Sequence, residues 1–136
     1  MINILKPIRE SIARMTDRAD TIETAIPGLA MYRREEPNQP ESAMYEPTIC
    51  LITQGSKRVV LGGDTYVYDT HHFLITSVDI PTTVQVIQAS RPKPCLGLVL
   101  KLDLREISQL VVDGHLPQPR VEPSSRGMAL GEVTLP

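Results

Sequence analysis

The chain has 136 residues, with 14 basic against 16 acidic side chains and a formal net charge of −2. That balance lacks the clustered Lys and Arg with which nucleic-acid binders neutralise phosphates, and no apolar run approaches the roughly 20 residues of a membrane-spanning helix. The length is that of about one domain, and with no Trp and a single Phe the core must be aliphatic. Two cysteines, Cys50 and Cys95, are too few for a disulfide scaffold, so a soluble cytoplasmic protein is the default expectation.

The N-terminus carries a helical pattern. Ile4, Leu5, Ile8, Ile12 and Met15 recur at spacings of three and four, with Arg9, Glu10, Arg14, Asp17 and Arg18 on the other faces. Pro7 falls in the first turn, where its missing N–H costs nothing. Ile26-Pro27-Gly28 reads as a turn and Leu29–Arg34 as a short strand. Residues 35–47, polar and broken by proline, read as a connection without regular structure. Six short strands are expected next, at Thr48–Gln54, Lys57–Leu61, Thr65–Asp69, His72–Val78, Thr83–Ala89 and Cys95–Lys101. Gly62-Gly63-Asp64 is a hairpin signal, because glycine accepts positive φ. Asp79-Ile80-Pro81 and Arg91-Pro92-Lys93-Pro94 read as breaks between strands. Short strands at regular spacing suggest an antiparallel sandwich or barrel, and Leu96-Gly97-Leu98-Val99-Leu100 is apolar on both faces, as in a strand covered on both sides. A helix follows, with Asp103 and Glu106 in capping-box spacing, an apolar stripe of Leu104, Ile107, Leu110 and Val111, and Gly114 as its stop. The remaining stretch has little to pack and reads as a linker, as though the chain were a piece of a longer protein.

No catalytic constellation stands out. His71 and His72 are adjacent at the start of a strand and face opposite ways, and His115 lies in the tail, so no cupin-type set of metal ligands forms. Cys50 and Cys95 sit in apolar strands, where a thiol behaves as a small buried hydrophobe. Ser56, Ser77 and Ser90 have no nucleophile-elbow context. Asp69 and Asp79 fall at turns, where aspartate commonly bonds its own backbone. Gly62-Gly63-Asp64 lacks the helix and Lys-Ser/Thr of a phosphate loop. Lys57 and Arg58 read as solvated surface, as do Arg33 and Arg34, which Glu35 and Glu36 offset. A small β-structure of this kind can enclose a small apolar or mixed ligand.

Two runs carry a family resemblance. One is Tyr45-Glu46-Pro47-Thr48-Ile49-Cys50-Leu51-Ile52-Thr53-Gln54-Gly55-Ser56-Lys57-Arg58-Val59. The other is Gly62-Gly63-Asp64-Thr65-Tyr66-Val67-Tyr68-Asp69 followed by Phe73-Leu74-Ile75-Thr76-Ser77-Val78-Asp79-Ile80-Pro81. Together they resemble the N-terminal domain of AraC-type transcriptional regulators. The resemblance implies a mainly β, cupin-like antiparallel barrel or jelly roll, with a helix before it and another after its last strand. The expected organisation is a helical arm over 1–25, the cupin-like domain over 26–112, and a linker over 113–136 toward a C-terminal helix-turn-helix domain outside this chain.

The resemblance further implies a regulatory domain that senses a small-molecule effector, mediates homodimerisation, or does both, without catalysis, metal or other cofactor. DNA would be bound only through the C-terminal domain, and no membrane is involved. The competing readings are a small cupin-type metalloenzyme and a stand-alone ligand-binding module. The effector-lining residues are expected on one alternate set of the first core strand, Cys50, Ile52 and Gln54, and on Tyr66 and Tyr68, which share a strand face and offer apolar rings with polar tips.

Overall fold

Thr48–Gln54 and Cys95–Lys101, the segments with the most continuous aliphatic character, lie side by side at the centre of the larger of two sheets. The computed structural model describes residues 5–17, 19–103, 105–106, 109, 112–113 and 128–132. Among these residues there is one N-terminal helix, α1 (Leu5–Met15), and ten strands: β1 (Thr21–Glu23), β2 (Leu29–Arg34), β3 (Glu41–Tyr45), β4 (Thr48–Gln54), β5 (Ser56–Leu61), β6 (Asp64–Tyr68), β7 (His72–Thr76), β8 (Ile80–Gln88), β9 (Cys95–Lys101) and β10 (Met128–Glu132). The larger sheet runs β1-β2-β9-β4-β7-β10 and the smaller β3-β8-β5-β6. Every pairing is antiparallel.

The core lies between the sheets. Tyr32, Cys50, Ile52, Leu74, Cys95 and Met128 from the larger sheet meet Val59, Tyr68, Ile80 and Val86 from the smaller. The other face of the larger sheet is covered by α1, which packs on β9, β2 and β4. Its Leu5 and Ile12 are buried, as is Leu96 of β9, yet all three stand outside the inter-sheet cluster. This double cover is why β9 is apolar on both faces. Arg33, next to inward-facing Tyr32, reaches the opposite way: its guanidinium donates to the Ala13 carbonyl at 3.1 Å and to Thr16 Oγ1 at 3.4 Å. A cation at the last turn of a helix satisfies carbonyls that have no partner within the helix.

β4 passes to β5, and so from one sheet to the other, through Gly55 at φ 92°. A Cβ there would stand 2.6 Å from the Gln88 carbonyl oxygen, so only glycine makes this crossing. Before it, β4 carries a bulge, since Ile52 faces Gly97 and Gln54 faces Leu96. Ile52 and Thr53 are consequently both buried, and the alternation that held from Thr48 to Ile52 is broken ahead of Gln54.

Several elements differ from the sequence reading. Residues 41–45, expected in an irregular connection, form β3 on the edge of the smaller sheet, paired with β8 from Glu41↔Val84 to Tyr45↔Ile80. An edge strand is held by its backbone ladder, so polar Glu41-Ser42-Ala43 carries no alternation signal. Asn38 prepares the docking, with its side-chain oxygen accepting from the Val86 N–H at 2.8 Å. Pro81, expected to block a strand, lies inside β8, because β5 stops pairing with β8 at Thr83 and leaves only β3 as a neighbour there; proline is tolerated where one side of the ladder is open. The arm contributes β1, paired with β2. The stretch read as a linker supplies β10, paired with β7 from Met128↔Thr76 to Glu132↔His72, with Met128 fully buried. Asp103 caps as expected, accepting from the N–H groups of Arg105 and Glu106 at 3.0 and 3.2 Å. The stripe Leu104, Ile107, Leu110 and Val111, the stop at Gly114, and Ile4 lie outside the described residues.

Candidate functional site

The hairpin of β5 and β6 fixes the chemistry of the interior. Its turn at Gly62-Gly63 sets the register Leu61↔Asp64, Val59↔Tyr66 and Lys57↔Tyr68. Residues two apart share a face, so Lys57 points the same way as Val59, which is fully buried in the core. Arg58 between them is exposed and bonds Gln85 on the outside at 3.3 Å. Lys57 is thus not the surface residue its sequence neighbourhood suggested; it projects between the sheets.

A cavity of about 350 Å³ opens there, bounded by Tyr45, Thr48, Cys50, Lys57, Tyr68 and Val99. Its mouth is formed by Met44, Glu46 and Lys101, where Glu46 and Lys101 form an exposed ion pair at 3.8 Å. Tyr32 lies beside Lys57, whose Nζ stands 4.0 Å from the ring centroid in a cation–π contact. The Tyr32 ring lies over Gly97 of β9, and its hydroxyl is buried with no hydrogen-bond partner among the described residues. Glycine at 97 is what makes room for it: a Cβ would stand 2.5 Å from the ring's Cζ.

The electrostatics follow from this burial. Desolvation lowers the Lys57 ammonium below the ordinary lysine value, while the Cys95 and Cys50 thiols oppose the shift and Arg34 adds to it. No carboxylate pairs with Lys57 among the described residues. Burial pushes the phenols of Tyr32, Tyr45 and Tyr68 up, so they stay protonated at neutral pH and remain donors. Burial also raises both thiols; for Cys50 the Thr48 hydroxyl, 3.8 Å from its sulfur, opposes the shift, and for Cys95 the Lys57 ammonium does. Both cysteines are free and buried.

Of the residues expected to line an effector site, Cys50 and Tyr68 border the cavity. Ile52 is fully buried in the inter-sheet core, and Tyr66 packs against that core. Gln54, past the bulge, bonds the Pro94 carbonyl at 2.7 Å and lines a separate polar depression with Arg9, His71 and Lys93. Lys57, Tyr45, Thr48 and Val99 were not singled out from the sequence. The signal for Lys57 was its period-two match to Val59 across the hairpin register, which the charge of adjacent Arg58 obscured. Among the described residues, no three His, Cys, Asp or Glu side chains stand close enough to hold a metal ion. Asp69 accepts from the His71 N–H at 2.9 Å and lies 3.4 Å from His72 Nδ1, closing the turn before β7.

A family model described as AraC-type transcriptional regulator N-terminus matches residues 25–136. The chain belongs to this family. Its fold is similar to that of ToxT from Vibrio cholerae strain SCE256 in two crystal structures. An apo variant of ToxT gives a TM-score of 0.52 at 9% identity, covering 83% of this chain and 45% of that one. Wild-type ToxT with an unsaturated fatty acid bound gives 0.52 at 11% identity, covering 83% and 44%. The chain thus spans less than half the length of these ToxT chains, and at such identity the likeness establishes the cupin-like β fold. A comparison with curated proteins gave no match. No helix among the described residues of this AraC-type domain is long and apolar enough to cross a membrane.

Proposed function

We propose that this AraC-type N-terminal domain is a cytoplasmic effector sensor, in which a small, largely apolar molecule occupies the cavity between the sheets and biases DNA binding by a C-terminal domain. The observation that carries this reading is the cavity itself, whose volume of about 350 Å³ lies within the range of roughly 300–1,000 Å³ typical of ligand sites. The unsaturated fatty acid bound to ToxT supports it by analogy of fold. Cys50 and Tyr68 are the sequence-expected residues that would touch the ligand, with Lys57, Tyr45 and Val99 added by the geometry.

The coupling would run through the larger sheet. Val99 and Cys50 face the cavity, while α1 packs on the opposite face of the same two strands. A ligand that reseats β9 and β4 alters the surface on which the arm is held by Arg33. To act as a switch it must bind the two arrangements with different free energies, on the order of 1–3 kcal/mol. Homodimerisation is the second route by which such a domain would set the geometry of paired DNA-binding domains.

The test is a thermal-shift screen of small apolar molecules, followed by a transcription reporter driven by the regulator that carries this domain. Val99→Trp fills the cavity and is expected to abolish both the shift and the effector response. If no compound shifts the melting temperature and Val99→Trp leaves regulation unchanged, the sensing role is wrong.

A further inference from the structure

Lys57 rests on the Tyr32 ring and has no carboxylate partner among the described residues. A lysine that points between the sheets of a β-sandwich is ordinarily paired, because an ammonium losing water is destabilised unless a charge or a set of acceptors replaces the solvent. Here its described contact is the Tyr32 ring, its cross-strand neighbours are Tyr68 and Val86, and the nearby thiols are held protonated. The nearest ion pair at the cavity, Glu46 with Lys101, is already made and lies at the exposed mouth. What remains is an ammonium without a carboxylate partner among the described residues, at the wall of a mostly apolar cavity, with Arg34 over the same Tyr32 ring at 5.5 Å. Thr48 and Tyr68 line the same cavity, the Tyr68 hydroxyl being bonded to that of Tyr45.

We infer that the cavity takes an amphiphilic monocarboxylate, with its carboxylate seated on Lys57 and its hydrocarbon part running past Val99 toward Met44 at the mouth. This rests on the effector-sensing reading and names the class of effector. One unpaired ammonium balances one negative charge, so a monoanion fits and a dianion leaves a buried excess. Lys57 is half-buried, so part of its hydration is already lost before a carboxylate binds. A pre-organised cation of this kind discriminates strongly for charge. Met44 is 63% exposed on β3, an apolar side chain at the entrance where an alkyl chain would leave the cavity.

The experiment titrates the full chain with octanoate, 1-octanol and octylamine at pH 7 and constant ionic strength, by calorimetry and by melting temperature. Octanoate is expected to bind roughly tenfold or more tightly than 1-octanol, and octylamine not measurably. In Lys57→Met the preference for octanoate over 1-octanol should vanish while 1-octanol still binds. Lys57→Arg keeps the charge and is expected to retain part of the preference. If wild type binds octanoate and 1-octanol equally, or if Lys57→Met keeps the preference, the carboxylate is not on Lys57, and the cavity still stands as a ligand site. If none of the three binds wild type, the monocarboxylate inference fails, and the broader screen with Val99→Trp then decides the sensing role separately. The wild-type series alone is decisive should a Lys57 variant not fold.

Discussion

Replacing Lys57 by Met tests whether this side chain is a structural residue or one retained for a ligand. Met keeps the stem's length and apolar character and removes only the ammonium, which has no carboxylate partner among the described residues. Two effects oppose each other. The cation–π contact with Tyr32 at 4.0 Å contributes about 0.5–2 kcal/mol, whereas partial desolvation of the half-buried ammonium opposes it and is the largest cause of its lowered pKa. The second is larger, so Lys57→Met is expected to stabilise the ligand-free domain by about 1 kcal/mol, a rise of roughly 3–6 °C in melting temperature. The pH dependence supplies the sign. Burial lowers the folded-state pKa of Lys57, so between that value and the unfolded value near 10.4 the unfolded chain binds more protons, and stability rises with pH. The penalty is therefore present at pH 7 and relieved as pH climbs through this window. Urea denaturation of wild type and Lys57→Met at pH 7 and pH 10 measures it, and the titrations of Cys and Tyr, common to both proteins, largely cancel in the difference. The variant's advantage should shrink at pH 10. A variant less stable than wild type by 1 kcal/mol or more at both pH values would show that Lys57 is satisfied in the fold, and the reasoning would be refuted.

Other consequences are equally direct. Gly97→Ala drives a methyl into the Tyr32 ring and should destabilise by about 1–3 kcal/mol, whereas Tyr32→Phe removes a buried, unpartnered hydroxyl and should be neutral or stabilising by up to about 1 kcal/mol; chemical denaturation compares the two. Arg33→Ala deletes the bonds to Ala13 and Thr16 that fasten α1, so amide exchange in α1 should accelerate by roughly tenfold or more while β4 and β9 stay protected. Raising pH past the ordinary thiol value should lower stability, because the folded state holds Cys50 and Cys95 protonated while the unfolded chain ionises them. A melting curve that is flat from pH 8 to pH 10 in Lys57→Met, where the lysine no longer contributes, would contradict that burial.

Much of the fold could be read from residue patterns because those patterns are local. Leu29–Arg34, Thr48–Gln54 and Cys95–Lys101 coincide with β2, β4 and β9, since a short, largely apolar run between turn residues has few other solutions. The Gly62-Gly63 hairpin and the Asp103 cap were legible for the same reason. The double cover of β9 could be anticipated from its unbroken apolar character, and the ordered motifs from Tyr45 to Pro81 carried the family.

What the pattern could not supply depends on partners distant in the chain. β3 and β10 are strands because β8 and β7 offer them a free edge, and their own residues do not show it. Pro81 is tolerated because the pairing of β5 with β8 ends at Thr83. Gln54 leaves the inner face because a single bulge resets an alternation whose period is two. Lys57 changes from a surface charge into a half-buried one because the hairpin register carries it inward beside Tyr68 and places Tyr32, 25 positions earlier in the chain, against its ammonium. Sequence determined the strands β2 and β4 to β9 and the family they form; the packing of two sheets added β1, β3 and β10 and decided which side chains share an interior, because that is set by register and closure, which no single segment contains.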